Sequence, residues 1–142
     1  MRKIGWLVAV VIISVSPFAL AQTESSCAQT QQVEQTQNIQ PEKSVQTTFT
    51  SLMAAIEENN YGNFLSQGNV AFKQGITKQM FTQVSGQLAP RMKKGYSAVF
   101  LGELKQQGYQ VYLWKLTFKD GGDDFLARLS LKDGKVGGFL IT

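Results

Sequence analysis

The sequence YSAVFLGELKQQGYQVYLWKLTFKDGGDDFLARLSLKDGKVGGFLIT occupies residues 96–142 and decides the fold. Three short segments rich in glycine, aspartate or glutamine divide it, at residues 107–108, 120–123 and 133–134. Segments of this kind form tight turns that join antiparallel neighbours. The sequence therefore predicts a four-stranded antiparallel meander. Its strands are expected at residues 96–106, 109–119, 124–131 and 135–141.

The alternation of side chains within these strands indicates which side of the sheet is buried. One side of the second and third strands carries the apolar residues Tyr112, Trp114, Leu116, Phe118, Phe125, Ala127, Leu129 and Leu131. The other side is mixed and basic, with Leu126 among its polar residues. Because a sheet with one apolar face needs a cover, we expect helices on the aromatic face. Gly102 predicts a β-bulge in the first strand.

The residues before the sheet have helical spacing. Three helices are expected, a first one after Pro41, a short one over residues 61–66 capped by Asn60, and one beginning after Thr77. Pro90 falls inside the last of these and should loosen its final turn. Residues 69–73 alternate between apolar and polar and predict a brief strand. The fold class is therefore α+β, with two to three N-terminal helices on a curved sheet of four main strands plus one short strand.

The N-terminus has the layout of a signal peptide. Arg2 and Lys3 precede an almost wholly apolar stretch, and Ala19 and Ala21 match a cleavage site after residue 21. Residues 1–21 are therefore predicted to be removed, and the mature protein to be periplasmic or secreted. An uncleaved membrane anchor is the competing interpretation, and lipidation of Cys27 is a third.

Residues 22–41 are rich in Gln, Thr, Ser and Glu, and we expect a disordered tether there. The folded domain then spans residues 42–142. Cys27 lies in the tether and is the single cysteine of the chain, so it is either a free thiol or part of an intermolecular disulfide.

Composition narrows the function classes. The chain has no histidine, which removes the commonest general base and metal ligand, and we expect neither a metal nor another cofactor. The net charge of +4 falls to +2 once Arg2 and Lys3 are removed. No basic run is longer than Lys93-Lys94, so nucleic-acid binding is not expected. The aspartates at the strand turns lack the ordered spacing of a calcium loop.

Three stretches of the sequence prompt a comparison with a known family: FTSLMAAIEENNY (residues 49–61), FKQGIT (72–77) and KDGKVGGF (132–139). With two or three helices before a meander, the chain resembles the nuclear transport factor 2-like superfamily, which includes ketosteroid isomerase. The resemblance implies a cone-shaped α+β domain over residues 42–142. Enzymes of that superfamily place a carboxylate or histidine inside the cone, whereas the inward positions assigned here are aromatic and aliphatic. Sheet-packed homodimers are also common in it.

The candidate ligand-binding residues lie on the predicted inner face. Tyr112, Trp114, Phe118 and Phe64 could line an apolar pocket for a small ligand, and ordinary core packing is the alternative. Glu103 is the one strand carboxylate outside the turns and is the candidate general base if it is buried. Its alternative is a surface glutamate paired with a lysine.

A candidate partner surface lies on the outer face, formed by Lys115, Lys119, Arg128 and Lys132. A solvated face is the alternative there. Taken together, we expect a small secreted binding domain, without catalysis, for a small apolar ligand or an envelope protein. The open alternatives are a small isomerase- or hydrolase-like enzyme that uses Glu103 and a structural homodimer packed through the sheet. Contact with a membrane is expected through an uncleaved signal segment alone.

Overall fold

A computed structural model describes residues 39–142 of the protein. The predicted signal peptide, Cys27 and nearly all of the predicted tether lie outside these residues. The described elements, in chain order, are α1 (Lys43–Glu57), α2 (Tyr61–Ser66), α3 (Val70–Gly75), α4 (Lys78–Lys93), β1 (Tyr96–Gln106), β2 (Tyr109–Phe118), β3 (Phe125–Lys132) and β4 (Lys135–Ile141). Four helices pack against a four-stranded antiparallel sheet, which confirms the α+β class.

The predicted short strand at residues 69–73 is wrong, because this segment begins helix α3. The side chain of Asn69 caps the helix by accepting the backbone N–H of Phe72 at 2.8 Å. As a strand, Val70 and Phe72 would share one face, but in the helix Phe72 is buried while Val70 is 70% exposed. The capping asparagine outweighs a two-residue alternation too short to fix a strand. One isolated bridge, between Gly68 and Val136, is the strand-like pairing at this place.

The sheet is a simple meander in the order β1-β2-β3-β4, as the turns predict. The bulge expected at Gly102 is present: Phe100 pairs with Trp114 and Gly102 pairs with Leu113, so Leu101 is the extra residue. Gly102 has a φ of 143°, a conformation that favours glycine. A second irregularity lies in β4, where Gly137 has no partner between the pairs that Val136 and Gly138 form with β3.

The core lies between α1 and the inner face of the sheet. The ring of Phe49 on α1 stacks on Trp114, and the side chains of Leu52, Met53 and Ile56 are buried beside it. Helix α4 contacts α1, and its Ser85 hydroxyl donates a hydrogen bond to the Ile56 carbonyl. The expected cover of the aromatic face is therefore confirmed. Within residues 39–142, no helix combines the length and apolarity that crossing a lipid bilayer requires.

Candidate functional site

All four predicted ligand-binding residues are buried in the hydrophobic core: Phe64, Tyr112, Trp114 and Phe118. Trp114 has its ring centroid 4.1 Å from that of Phe49, with the two planes 11° apart. Phe118 packs edge-on against Phe125, and Tyr112 is buried beside Phe100. Among residues 39–142, every buried side-chain nitrogen or oxygen has a hydrogen-bond partner. The inner face therefore has side-chain packing at the places where the sequence suggested a pocket.

An apolar groove lies instead between α4 and β4. Its volume is about 210 Å³. The groove is lined by Ile56, Phe64, Ile76, Met80, Phe81, Val84, Phe139, Leu140 and Ile141. Of the four predicted ligand-binding residues, Phe64 alone belongs to this lining.

The α4 wall of the groove is built from two residues one helical turn apart. Met80 and Val84 stand at positions i and i+4, so they share one face of the helix. They are 50% and 45% exposed, although Phe81 beside them is buried in the core. The Tyr61 hydroxyl donates a hydrogen bond to the Ile76 carbonyl at 2.6 Å and holds the chain at the start of α4. The wall is thus a fixed apolar surface that remains open to solvent.

The opposite wall is an edge strand. Leu126 of β3 and Thr142 exchange two backbone hydrogen bonds, of 2.7 and 3.0 Å. Because bonding alternates along an antiparallel pair, Leu140 is also bonded to β3, whereas the N–H and C=O groups of Phe139 and Ile141 point away from it. The groove therefore borders a strand edge with outward-facing backbone groups.

The other half of the β4 edge is already closed. Val136 donates its backbone N–H to the Gln67 carbonyl at 3.0 Å and accepts the Asn69 N–H at 2.8 Å. The connection between α2 and α3 thus pairs with the start of β4. Phe139 and Ile141, whose backbone groups face away from β3, both line the groove.

Glu103 is an exposed residue of β1 and pairs with Tyr112 across the sheet. Burial raises the pKa of the Tyr112 hydroxyl, and the carboxylates of Glu103 and Glu42 raise it further. The hypothesis of a general base requires a buried Glu103, a condition that this exposed position does not meet. In the described part of the chain, no three side chains among His, Cys, Asp and Glu converge as metal ligands would.

Two of the four predicted partner-binding cations have polar side-chain partners. Lys115 forms an ion pair of 3.5 Å with Asp124, and Arg128 donates a hydrogen bond to the Gln106 side chain. Lys132 lies 5.9 Å from the ring centroid of Tyr109. Lys119 follows β2, where its backbone N–H bonds to the carbonyl of Gly95. Exposed apolar residues are paired with two of these cations across the sheet: Val99 and Leu126 with Lys115, and Leu140 with Arg128.

Arg91 and Asp120 form a polar contact that sequence reasoning missed. The Arg91 guanidinium donates hydrogen bonds to both Asp120 carboxylate oxygens at 3.0–3.2 Å. It also lies 4.3 Å from the ring centroid of Phe118. Hydrogen bonds from Arg91 hold the pKa of Asp120 below its usual value. This pair joins the end of α4 to the turn between β2 and β3.

No family model and no curated protein matches the chain. Among solved structures, it is similar to an uncharacterised cystatin-fold protein from Novosphingobium aromaticivorans. The two share 14% identity with a TM-score of 0.37, over 68% of this chain and 95% of the other. A likeness this low carries no argument about fold or function. The resemblance to the nuclear transport factor 2-like superfamily stays a prediction.

Proposed function

We propose that this domain is a protein-interaction module that binds an extended apolar peptide segment along β4. The observation that carries the proposal is the outward-facing backbone of Phe139 and Ile141 at the border of an apolar groove. An added strand would bond to these groups, and its alternate side chains would enter the groove. With the predicted signal peptide, the proposal puts this binding in the periplasm or outside the cell.

A peptide uses more of this site than a small apolar ligand does. A small ligand gains from the apolar walls alone, whereas an extended peptide also pairs with the strand edge. The groove of about 210 Å³ is smaller than the 300–1,000 Å³ typical of drug-sized ligands. It is therefore better suited to one or two side chains of a longer segment.

The exposed part of the groove wall supplies the driving force. Complete burial of a Val or Met side chain gains about 1.5–3 kcal/mol, so covering the exposed half of Met80 or Val84 gains about 1 kcal/mol each. These gains are small, and ordering the peptide opposes them. We therefore expect a weak, reversible interaction.

The test is a binding titration with a short acetylated peptide of alternating valine and threonine, flanked by lysines for solubility. Val84→Lys should weaken binding at least about tenfold, which corresponds to about 1.4 kcal/mol, because it puts a charge in the groove wall. Val70→Lys is the matched control. It makes the same change at an exposed valine of α3 outside the groove and should leave affinity unchanged.

Two further arms separate a peptide site from an apolar-ligand site. The same peptide with alternate backbone nitrogens methylated cannot donate to the strand edge and should bind much more weakly. If the methylated and unmethylated peptides bind equally, or if Val84→Lys and Val70→Lys behave alike, the proposal is wrong. Binding of the apolar dye anilinonaphthalene sulfonate to the groove, without peptide binding, would point to a small-molecule site instead.

A further inference from the structure

The other edge of the sheet is formed by β1, a strand of eleven residues. In the described part of the chain, no strand pairs with its outer edge. Three of its apolar side chains on the outer face are exposed: Val99, Leu101 and Leu104 are 51%, 51% and 42% exposed. A long apolar edge strand is a template for pairing with another strand, and soluble proteins rarely leave one uncovered.

The direction of the β1 backbone groups follows from two fixed points. At its start, the Lys119 N–H bonds to the Gly95 carbonyl, so the alternation turns the backbone groups of Ala98 and Phe100 outward. At the end of β1, the turn at residues 107–108 makes Gln106 and Tyr109 a hydrogen-bonded pair. By the same alternation, the backbone groups of Glu103 and Lys105 face outward. Because the bulge adds one residue to β1, the residues with outward-facing backbone groups are even-numbered before the bulge and odd-numbered after it.

This shift in the outward-facing positions is compatible with one particular pairing of two copies of the chain. When two β1 strands run antiparallel with the bulges opposite each other, Ala98 lies opposite Lys105, Val99 opposite Leu104 and Phe100 opposite Glu103. In this register, the outward-facing N–H and C=O groups of one β1 strand lie opposite those of the other. Side chains that lie opposite each other come from the same face of the two sheets. The apolar pair, Val99 and Leu104, would be covered on both sides of the symmetry axis.

We propose that a second copy of this chain covers the β1 edge, so that two sheets join into one across a two-fold axis. Charge favours this occupant, because the one carboxylate and the one ammonium group of β1, on Glu103 and Lys105, make the strand neutral. No like charges face each other directly in this register. The strand is about 36 Å long, which gives an interface near the low end of the range for specific association. The dimer is therefore weak and depends on concentration.

Cysteine cross-linking tests the register in a background in which Cys27 is replaced by Ser. The Val99→Cys, Leu104→Cys double variant should form a covalent dimer on oxidation, because the two positions face each other without backbone bonds between them. The single variant Val99→Cys is the control. Its two copies lie about 17 Å apart in this register, beyond the reach of a disulfide, and it should form no covalent dimer.

A second measurement separates edge pairing from packing of the outer faces. Ala98→Pro removes an N–H that points away from β2, a position where an edge strand tolerates proline. Sedimentation across a concentration series should show the wild type shifting to a dimer and Ala98→Pro remaining a monomer with the circular dichroism of the wild type. A monomeric wild type at the highest concentration, no cross-link in the double variant, or a dimer that Leu126→Lys abolishes but Ala98→Pro does not, would each overturn the proposal. The peptide site on β4 lies at the opposite edge and is tested independently.

Discussion

The ring of Phe49 lies parallel to the indole of Trp114, with the centroids 4.1 Å apart and the planes 11° from each other. The contact joins the middle of α1 to the middle of the inner sheet face, and both side chains are buried. Trp114 also lies 5.2 Å from Phe100, so the indole is enclosed by rings from two elements. This enclosure makes Trp114 a structural residue of the core.

Replacement of Phe49 by alanine should therefore act on stability. Removing a buried ring leaves a cavity over Trp114, and such changes cost about 3–5 kcal/mol. Urea denaturation followed by circular dichroism should show a midpoint far below that of the wild type. Val70→Ala, at an exposed site, should change the free energy of unfolding by less than about 0.5 kcal/mol. An unchanged midpoint for Phe49→Ala would mean that α1 does not cover the sheet in this way.

The pair of Arg91 and Asp120 should make stability depend on pH in the acid range. Hydrogen bonds from Arg91 lower the pKa of Asp120 in the folded state, so the pair stabilises the fold above the unfolded pKa of about 3.9. That contribution is lost as the pH falls through the lower folded pKa. Asp120→Asn should unfold more easily than the wild type at neutral pH, and the difference should shrink in acid. Thermal unfolding of both proteins across this range measures it, and a constant difference would contradict the account.

Two neighbouring glycines of β4 should respond differently to the same substitution. A Cβ on Gly137 would collide with the ring of Tyr109, whereas the nearest atom to a Cβ on Gly138 is Ser130 Cβ at an ordinary 3.7 Å. Gly137→Ala should therefore destabilise the fold by about 1–3 kcal/mol, as overpacking does. Gly138→Ala is the control and should cost less.

The cause of the Gly137 effect can be tested separately. In a Tyr109→Ala background the obstructing ring is gone, so adding Gly137→Ala should cost little more. Equal costs of Gly137→Ala in both backgrounds, measured by urea denaturation, would show that the ring of Tyr109 is not responsible.

Glu103 should influence Tyr112 without supporting the fold. Because Glu103 is exposed, Glu103→Gln should change the free energy of unfolding by less than about 0.5 kcal/mol. It removes one of the negative charges that raise the pKa of Tyr112, so that pKa should fall, while burial keeps it above its ordinary value. Ultraviolet titration of the phenols measures this, with Tyr112→Phe identifying the signal. A Tyr112 titration identical in Glu103→Gln and the wild type would refute the assignment.

The sheet could be predicted from the sequence because the residues that determine its strand pairing are close together in the chain. The turns at residues 107–108 and 133–134 include Gln107 and Asp133, both with positive φ, and each fixes the pairing of the strands beside it. The bulge could be predicted from Gly102. Helix α3 was missed because the capping of Asn69 decides it, while its short apolar pattern resembles a strand.

The groove could not be found from the sequence. Its walls come from α1, α2, α4, β4 and the chain before α4, and no spacing in the sequence links them. In the sequence, Met80 and Val84 are ordinary members of an apolar helix face, whereas in the folded domain they are 50% and 45% exposed. The same holds for Arg91 and Asp120, which are brought together by the packing of a helix end against a turn.

Amide hydrogen exchange at β4 tests the central claim most directly. In the free protein, the N–H of Leu140 is bonded to β3 and should exchange slowly, while those of Phe139 and Ile141 point outward and should exchange fast. With the alternating valine–threonine peptide at saturation, exchange at Phe139 and Ile141 should slow at least about tenfold, as expected for amides that gain strand hydrogen bonds. Unchanged exchange at these two amides, with the peptide bound, would contradict strand addition at the groove.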